Sequence, residues 1–87
     1  LLFQNFKFKN NLMPLQKVFA SVFCVPVETI QDSTDLKNIP SWDSMTHMLL
    51  ISRLEEEFQV QLTGDEIADM KTVGDARGFL RGHGAAV

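Results

Sequence analysis

Hydrophobic positions along the chain fall into three helical stripes separated by polar stretches. Leu15, Val18, Phe19, Val22 and Phe23 recur at helical spacing. They predict a first amphipathic helix over Leu12–Cys24. Asn11 is placed to cap it, and Pro14 fits its first turn, where a missing N–H costs nothing. Pro26 closes it, and Cys24 is expected to be a buried small hydrophobe at its end.

The longest stripe follows Pro40-Ser41-Trp42-Asp43-Ser44-Met45. His47, Leu50, Ile51, Leu54 and Phe58 keep helical register and predict a second helix over Ser44–Phe58, with Val60 and Leu62 running on into a loop. Thr63-Gly64-Asp65-Glu66 has the capping-box pattern and starts a short element from which Ile67 and Met70 reach the core. Thr72 then caps a last helix, with Asp75 at its third position and Val73, Ala76, Phe79 and Leu80 as its buried stripe. Gly78 weakens that helix by about 1 kcal/mol relative to alanine.

The fold class is therefore all-α: a four-helix bundle of three longer helices and one short one. A long connection over 25–43 joins helices one and two. Ile30, Leu36 and Ile39 are expected to tack this connection onto the core, and Ser33, Thr34 and Asp35 to serve as turn or cap residues. A connection of this length in a small domain is usually functional. Residues 1–11, with Phe3, Phe6 and Phe8 among lysines and asparagines, have no helical stripe and read as a disordered or appended lead-in. Residues 12–82 form the domain and 83–87 a flexible tail. The chain opens on Leu1 rather than Met, as expected of a piece of a longer protein or of added residues.

Composition narrows the chemistry. With 87 residues, the chain folds as one small domain without room for a deep enclosed active site. The net charge is −3, but the ten acids between residues 28 and 70 face only Lys37 and Arg53. That acidic middle argues against nucleic acid and suits a basic protein partner. A single cysteine excludes an internal disulfide and a cysteine zinc cluster. No stretch reaches a membrane span and no signal peptide stands out, so a cytoplasmic location and a monomer are expected.

Ser44 is the candidate site. It stands where a polar loop becomes a helix, near the free N–H groups of a first turn, where a phosphate is well received. The plainer reading of Ser44 is a simple N-cap serine. Met45, Met48, Leu49 and Ser52 lie off the core stripe and suggest a partner surface, although the bundle is expected to cover Met45. Trp42 reads equally as a lid on the core or as a contact for a ligand or partner. Ser44, His47 and Asp43 make a poor hydrolase triad, with the serine and histidine on one short helix and no evident oxyanion hole. Neither acidic cluster, Glu55-Glu56-Glu57 nor Asp65-Glu66-Asp69, follows a calcium-loop pattern.

Asp43-Ser44-Met45, the apolar stripe, Leu54-Glu55-Glu56-Glu57-Phe58 and Thr72-Val73 together resemble the acyl carrier proteins and the carrier domains of polyketide and peptide synthases. The resemblance covers residues 12 to 82. It implies that Ser44 is esterified with 4′-phosphopantetheine taken from coenzyme A, whose thiol then holds an acyl or aminoacyl group. It further implies a separate phosphopantetheinyl transferase, with Asp43 helping to place Mg²⁺ and the hydroxyl, and Trp42 and Met45 beside the arm. A loading enzyme and a downstream synthase or transferase would read Met45, Met48, Leu49, Ser52, Glu55 and Glu56. Met45 replaces the usual leucine. Thr46 and Leu49 stand where fatty-acid carriers are acidic, and the Gly-Gly of peptide-synthase carriers is absent. Trp42-Asp43-Ser44 with Thr46-His47-Met48 is more similar to discrete or specialised carriers of secondary metabolism or cell-surface biosynthesis. The competing class is a small helical protein-interaction module without a prosthetic group.

Overall fold

The computed structural model describes residues 14–87. Four α-helices follow in order: α1 (Pro14–Phe23), α2 (Ser44–Phe58), α3 (Gly64–Asp69) and α4 (Val73–Gly82). The lead-in over 1–11, the Asn11 cap and the start of the first helix at Leu12 lie outside the described residues. Among the described residues there is no strand; the one bridge pairs Asp35 with Thr72.

Leu15, Phe19 and Phe23 of α1, Leu50, Ile51 and Leu54 of α2, and Val73, Ala76 and Leu80 of α4 form one buried cluster. Met70 joins it from the end of α3, and Leu62 from the loop before it. Full burial of such side chains contributes roughly 1.5–3 kcal/mol each and dominates the stability of a domain this small. Three members of the predicted stripes, Val18, Phe58 and Phe79, pack on the cluster only half-buried, because they flank the apolar stripes of their helices.

Three helices start with a reciprocal capping box. Thr63 and Glu66 cap α3, Thr72 and Asp75 cap α4, and Asp43 and Thr46 cap α2. Both α1 and α2 end through a non-glycine residue in the left-handed region, Cys24 (φ 57) and Gln59 (φ 56). In each case the next N–H reaches back five residues, Val25 to the Ala20 carbonyl and Val60 to the Glu55 carbonyl. This is the pattern of a Schellman turn.

That turn corrects the expectation for Cys24. The helix stops at Phe23, the left-handed residue swings its side chain off the apolar stripe, and the thiol is exposed.

The long connection is built rather than loose. Two short 3-10 turns, Val27–Thr29 and Leu36–Asn38, shape it. Ile30, Leu36 and Ile39 are buried in the core. Backbone bonds then fasten it to the start of α4: Val73 N–H to the Thr34 carbonyl, Gly74 N–H to the Asp32 carbonyl, and Leu36 N–H to the Lys71 carbonyl. The Arg77 guanidinium adds an ion pair to Asp32 at 3.1 Å. At its far end the Ser41 hydroxyl donates to the Phe23 carbonyl at 2.8 Å, satisfying one of the carbonyls that the end of α1 leaves free. The approach to Ser44 is thus held at both ends.

Candidate functional site

Ser44 is the first residue of α2 and is exposed. Its hydroxyl makes no hydrogen bond to a described residue. The cap belongs to its neighbour: Asp43 Oδ1 accepts from the Thr46 N–H at 2.8 Å, and Thr46 Oγ1 accepts from the Asp43 N–H at 2.8 Å. The plainer reading of Ser44 as the N-cap is therefore corrected. A helix needs one side-chain acceptor at that position, and Asp43 supplies it, so chemistry at Ser44 leaves the cap intact. Sequence reasoning missed the Asp43–Thr46 pair because the third position holds threonine instead of the glutamate or glutamine that marks the usual box.

The Thr46 N–H, then the Thr46 hydroxyl and the Met45 N–H, hold the Asp43 carboxyl below its ordinary value. Asp43 is therefore ionised at neutral pH. Ser44 directly follows this capping residue at the positive end of a fifteen-residue helix, a setting that accepts an anionic phosphodiester provided the charge points away from Asp43.

Trp42 is half-buried, and its indole N–H donates to His47 Nδ1 at 3.2 Å. The two rings meet edge-on with centroids 5.9 Å apart. An indole nitrogen can only donate, so Nδ1 is the acceptor and Nε2 carries the proton, which points at the Ile67 carbonyl 3.1 Å away. Both ring nitrogens of His47 are thus engaged, and neither faces Ser44 as a general base. This pairing gives His47 a structural role. It also joins the loop, α2 and α3 through one side chain, a link that the stripe gave no sign of beyond placing His47 at its edge.

The remaining candidates sort by face. Met45, Met48 and Leu49 are 82%, 55% and 49% exposed, and with exposed Ser52 and Glu56 they form one side of α2 opposite the core. The expectation that the bundle covers Met45 is corrected: in the first turn of α2 nothing packs over that side. Glu55 is drawn away from this face, and its Oε2 accepts from the Leu62 N–H at 2.9 Å. Among the described residues no group of three His, Cys, Asp or Glu side chains is placed to hold a metal ion. None of the described helices is long and apolar enough to cross a membrane.

A family model for the phosphopantetheine attachment site matches residues 14–80. The chain belongs to this family of phosphopantetheine carriers. An acyl carrier protein of Lactobacillus acidophilus is 32% identical over 69 residues, covering 79% of this chain and 86% of the relative. One from Acidothermus cellulolyticus is 28% identical, covering 79% of this chain and 82% of the relative. In structure, the carrier fold is similar to a solution NMR structure of the holo acyl carrier protein from Geobacter metallireducens. The TM-score is 0.73 at 28% identity, and 85% of each chain is covered. Membership decides for a carrier that bears phosphopantetheine over an interaction module without a prosthetic group. The unpartnered, exposed hydroxyl of Ser44 fits such a group.

Proposed function

We propose that Ser44 is the residue that receives 4′-phosphopantetheine and that the chain presents acyl or aminoacyl cargo without catalysing a reaction of its own. The observation that carries this reading is the free hydroxyl at the first position of α2, beside a cap that Asp43 and Thr46 hold independently of it. In the modification the Ser44 oxygen forms the new ester bond to the β-phosphorus of coenzyme A. The nucleotide leaves, and the serine proton passes to a base of the modifying enzyme. No Gly-rich phosphate loop is present in the sequence, so a separate phosphopantetheinyl transferase performs this step.

When bound, the group supplies a terminal thiol that holds cargo as a thioester. The chain's own residues then act as a platform. Asp43 presents a carboxylate beside the modified oxygen, suited to a Mg²⁺ held by the transferase. Trp42, two residues before Ser44, is kept in place by His47. Met45, Met48 and Leu49 with Ser52 and Glu56 offer partners an apolar face with an acidic end. A loading enzyme and a downstream synthase or transferase that read this face need an apolar footprint, because Thr46 is consumed by the cap and Leu49 carries no charge. This favours a specialised pathway over the standard fatty-acid enzymes. The reading is of a cytoplasmic monomer, with the acidic middle turned to protein partners rather than nucleic acid.

The test is an intact-protein mass after incubation with coenzyme A, Mg²⁺ and a broad-specificity transferase. The wild-type chain gains the arm, whereas Ser44→Ala folds with the same helical content and gains nothing. A modified Ser44→Ala protein would place the attachment elsewhere.

A further inference from the structure

The three residues that lead into α2 are all tied down, and most of the ties come from α1, the connection or α2 itself. Ser41 donates its hydroxyl to the Phe23 carbonyl at 2.8 Å, and its own carbonyl accepts from the Thr46 hydroxyl at 3.1 Å. The Trp42 N–H reaches the Ile39 carbonyl at 2.9 Å, and Asp43 is held by Thr46. The Trp42 side chain is the exception. Its indole N–H donates to His47 Nδ1, and His47 Nε2 donates in turn to the Ile67 carbonyl of α3 at 3.1 Å. Among the described residues, no other hydrogen bond joins α3 to α2 or to the connection before it.

The short helix depends on such an anchor. It has six residues, none of them buried, and a helix of that length is not stable without tertiary contacts. The seating of α3 and the entry to Ser44 are therefore coupled through one imidazole.

We propose that His47 is a positioning residue for arm transfer: it makes the affinity of the phosphopantetheinyl transferase for this chain depend on a seated α3. The inference rests on Ser44 receiving the arm. The transferase has to hold the residues flanking Ser44 in one conformation while its own groups act on the hydroxyl. With the link intact, Trp42 and Asp43 are ordered beforehand. Without it, the enzyme orders them on docking, and that cost falls on binding. Once the chain is docked, the Ser44 oxygen is presented as before, so turnover is spared.

The two ring nitrogens allow a specific test. Glutamine carries an acceptor and a donor on one amide, as neutral imidazole does on its ring, whereas leucine fills the space with neither. Steady-state arm transfer from coenzyme A with Mg²⁺ is measured at a temperature where every variant is fully folded by far-UV circular dichroism. His47→Leu is expected to raise KM for the chain about 3- to 10-fold, the value of one net hydrogen bond, and to leave kcat unchanged. His47→Gln should return KM to the wild-type value. Emission from Trp42, the sole tryptophan, should shift to the red in His47→Leu and revert in His47→Gln. Thr63→Ala loosens α3 by removing the hydroxyl that accepts from the Glu66 N–H at 3.2 Å. It should raise KM in the wild-type chain and add nothing in the His47→Leu background, the non-additivity expected of coupled sites.

An equal KM for the wild type and His47→Leu overturns this inference alone. So does a fall in kcat at constant KM, a rise in KM that glutamine fails to reverse, or a Thr63→Ala effect that persists in the His47→Leu background. A wild-type chain that gains no mass overturns the attachment at Ser44, and this inference with it.

Discussion

The indole N–H of Trp42 and Nδ1 of His47 lie 3.2 Å apart, and this contact fixes the histidine tautomer whose other nitrogen holds α3 through Ile67. Removing the ring in His47→Ala leaves a half-buried donor and a half-buried acceptor to find water. The expected loss of stability is about 1–3 kcal/mol, or several degrees in Tm for a domain of this size, with a red-shifted Trp42 emission. Trp42→Phe removes only the donor and should cost less. A His47→Ala protein with unchanged Tm and emission would show that the contact does not hold the site together.

Acid sensitivity follows from two carboxylates. Asp43 is lowered by the Thr46 N–H first and its hydroxyl second. Glu66 is lowered by the Thr63 N–H first and His83 second. A group whose folded pKa lies below its unfolded value contributes stability above the unfolded pKa and loses it as pH falls through the folded one. Tm is therefore expected to hold at neutral pH and to fall as the solution drops below about pH 4, the ordinary carboxylate value. Asp43→Asn keeps a capping acceptor without the charge and should flatten this slope. An unaltered slope in that variant would remove Asp43 from the acid response.

Two glycines of α4 should answer oppositely to the same substitution. A Cβ on Gly78 meets nothing within 4 Å, so Gly78→Ala should stabilise by roughly 0.8–1 kcal/mol through helix propensity. A Cβ on Gly74 would sit 3.1 Å from the Asp32 carbonyl, which also accepts the Gly74 N–H at 2.9 Å. There the clash opposes the propensity gain, and Gly74→Ala should loosen the connection's fastening to α4. Thermal melts decide the matter, and equal gains at both positions would show that the loop yields freely.

The exposed face of α2 separates stability from recognition. Met48→Glu and Leu49→Glu place charge on surface that the fold does not use, so each should change stability by no more than about 0.5 kcal/mol. The rate of cargo loading by the cognate enzyme should fall while arm attachment at Ser44 continues. If loading proceeds at the wild-type rate in both variants, partners bind elsewhere.

Local signals were readable before the structure, and relational ones were not. The boxes at Thr63–Glu66 and Thr72–Asp75 are encoded within four residues, and the spacing of Leu50, Ile51 and Leu54 names the core side of α2 without any partner in view. Phosphopantetheine attachment was legible because Asp43-Ser44-Met45, Leu54-Glu55-Glu56-Glu57-Phe58 and Thr72-Val73 stand in one register. The Trp42–His47–Ile67 link and the bond from the Leu36 N–H to the Lys71 carbonyl depend on how a nineteen-residue connection over 25–43 folds back on α3 and α4, which no period reports. Cys24 was misplaced because a helical stripe cannot reveal that the backbone turns left-handed at its last member. Met45 was misplaced because apolar character alone does not say whether another element reaches that side of the first turn.

The left-handed turn at Cys24 has a practical corollary. The chain has one cysteine, and its sulfur faces solvent, so the bare protein titrates one accessible thiol and the armed protein two. A maleimide or disulfide label aimed at the arm will decorate both, and two oxidised copies can be joined through a sulfur that has nothing to do with cargo. Asparagine tolerates the left-handed backbone better than most residues, which makes Cys24→Asn the background in which the arm's thiol can be counted alone.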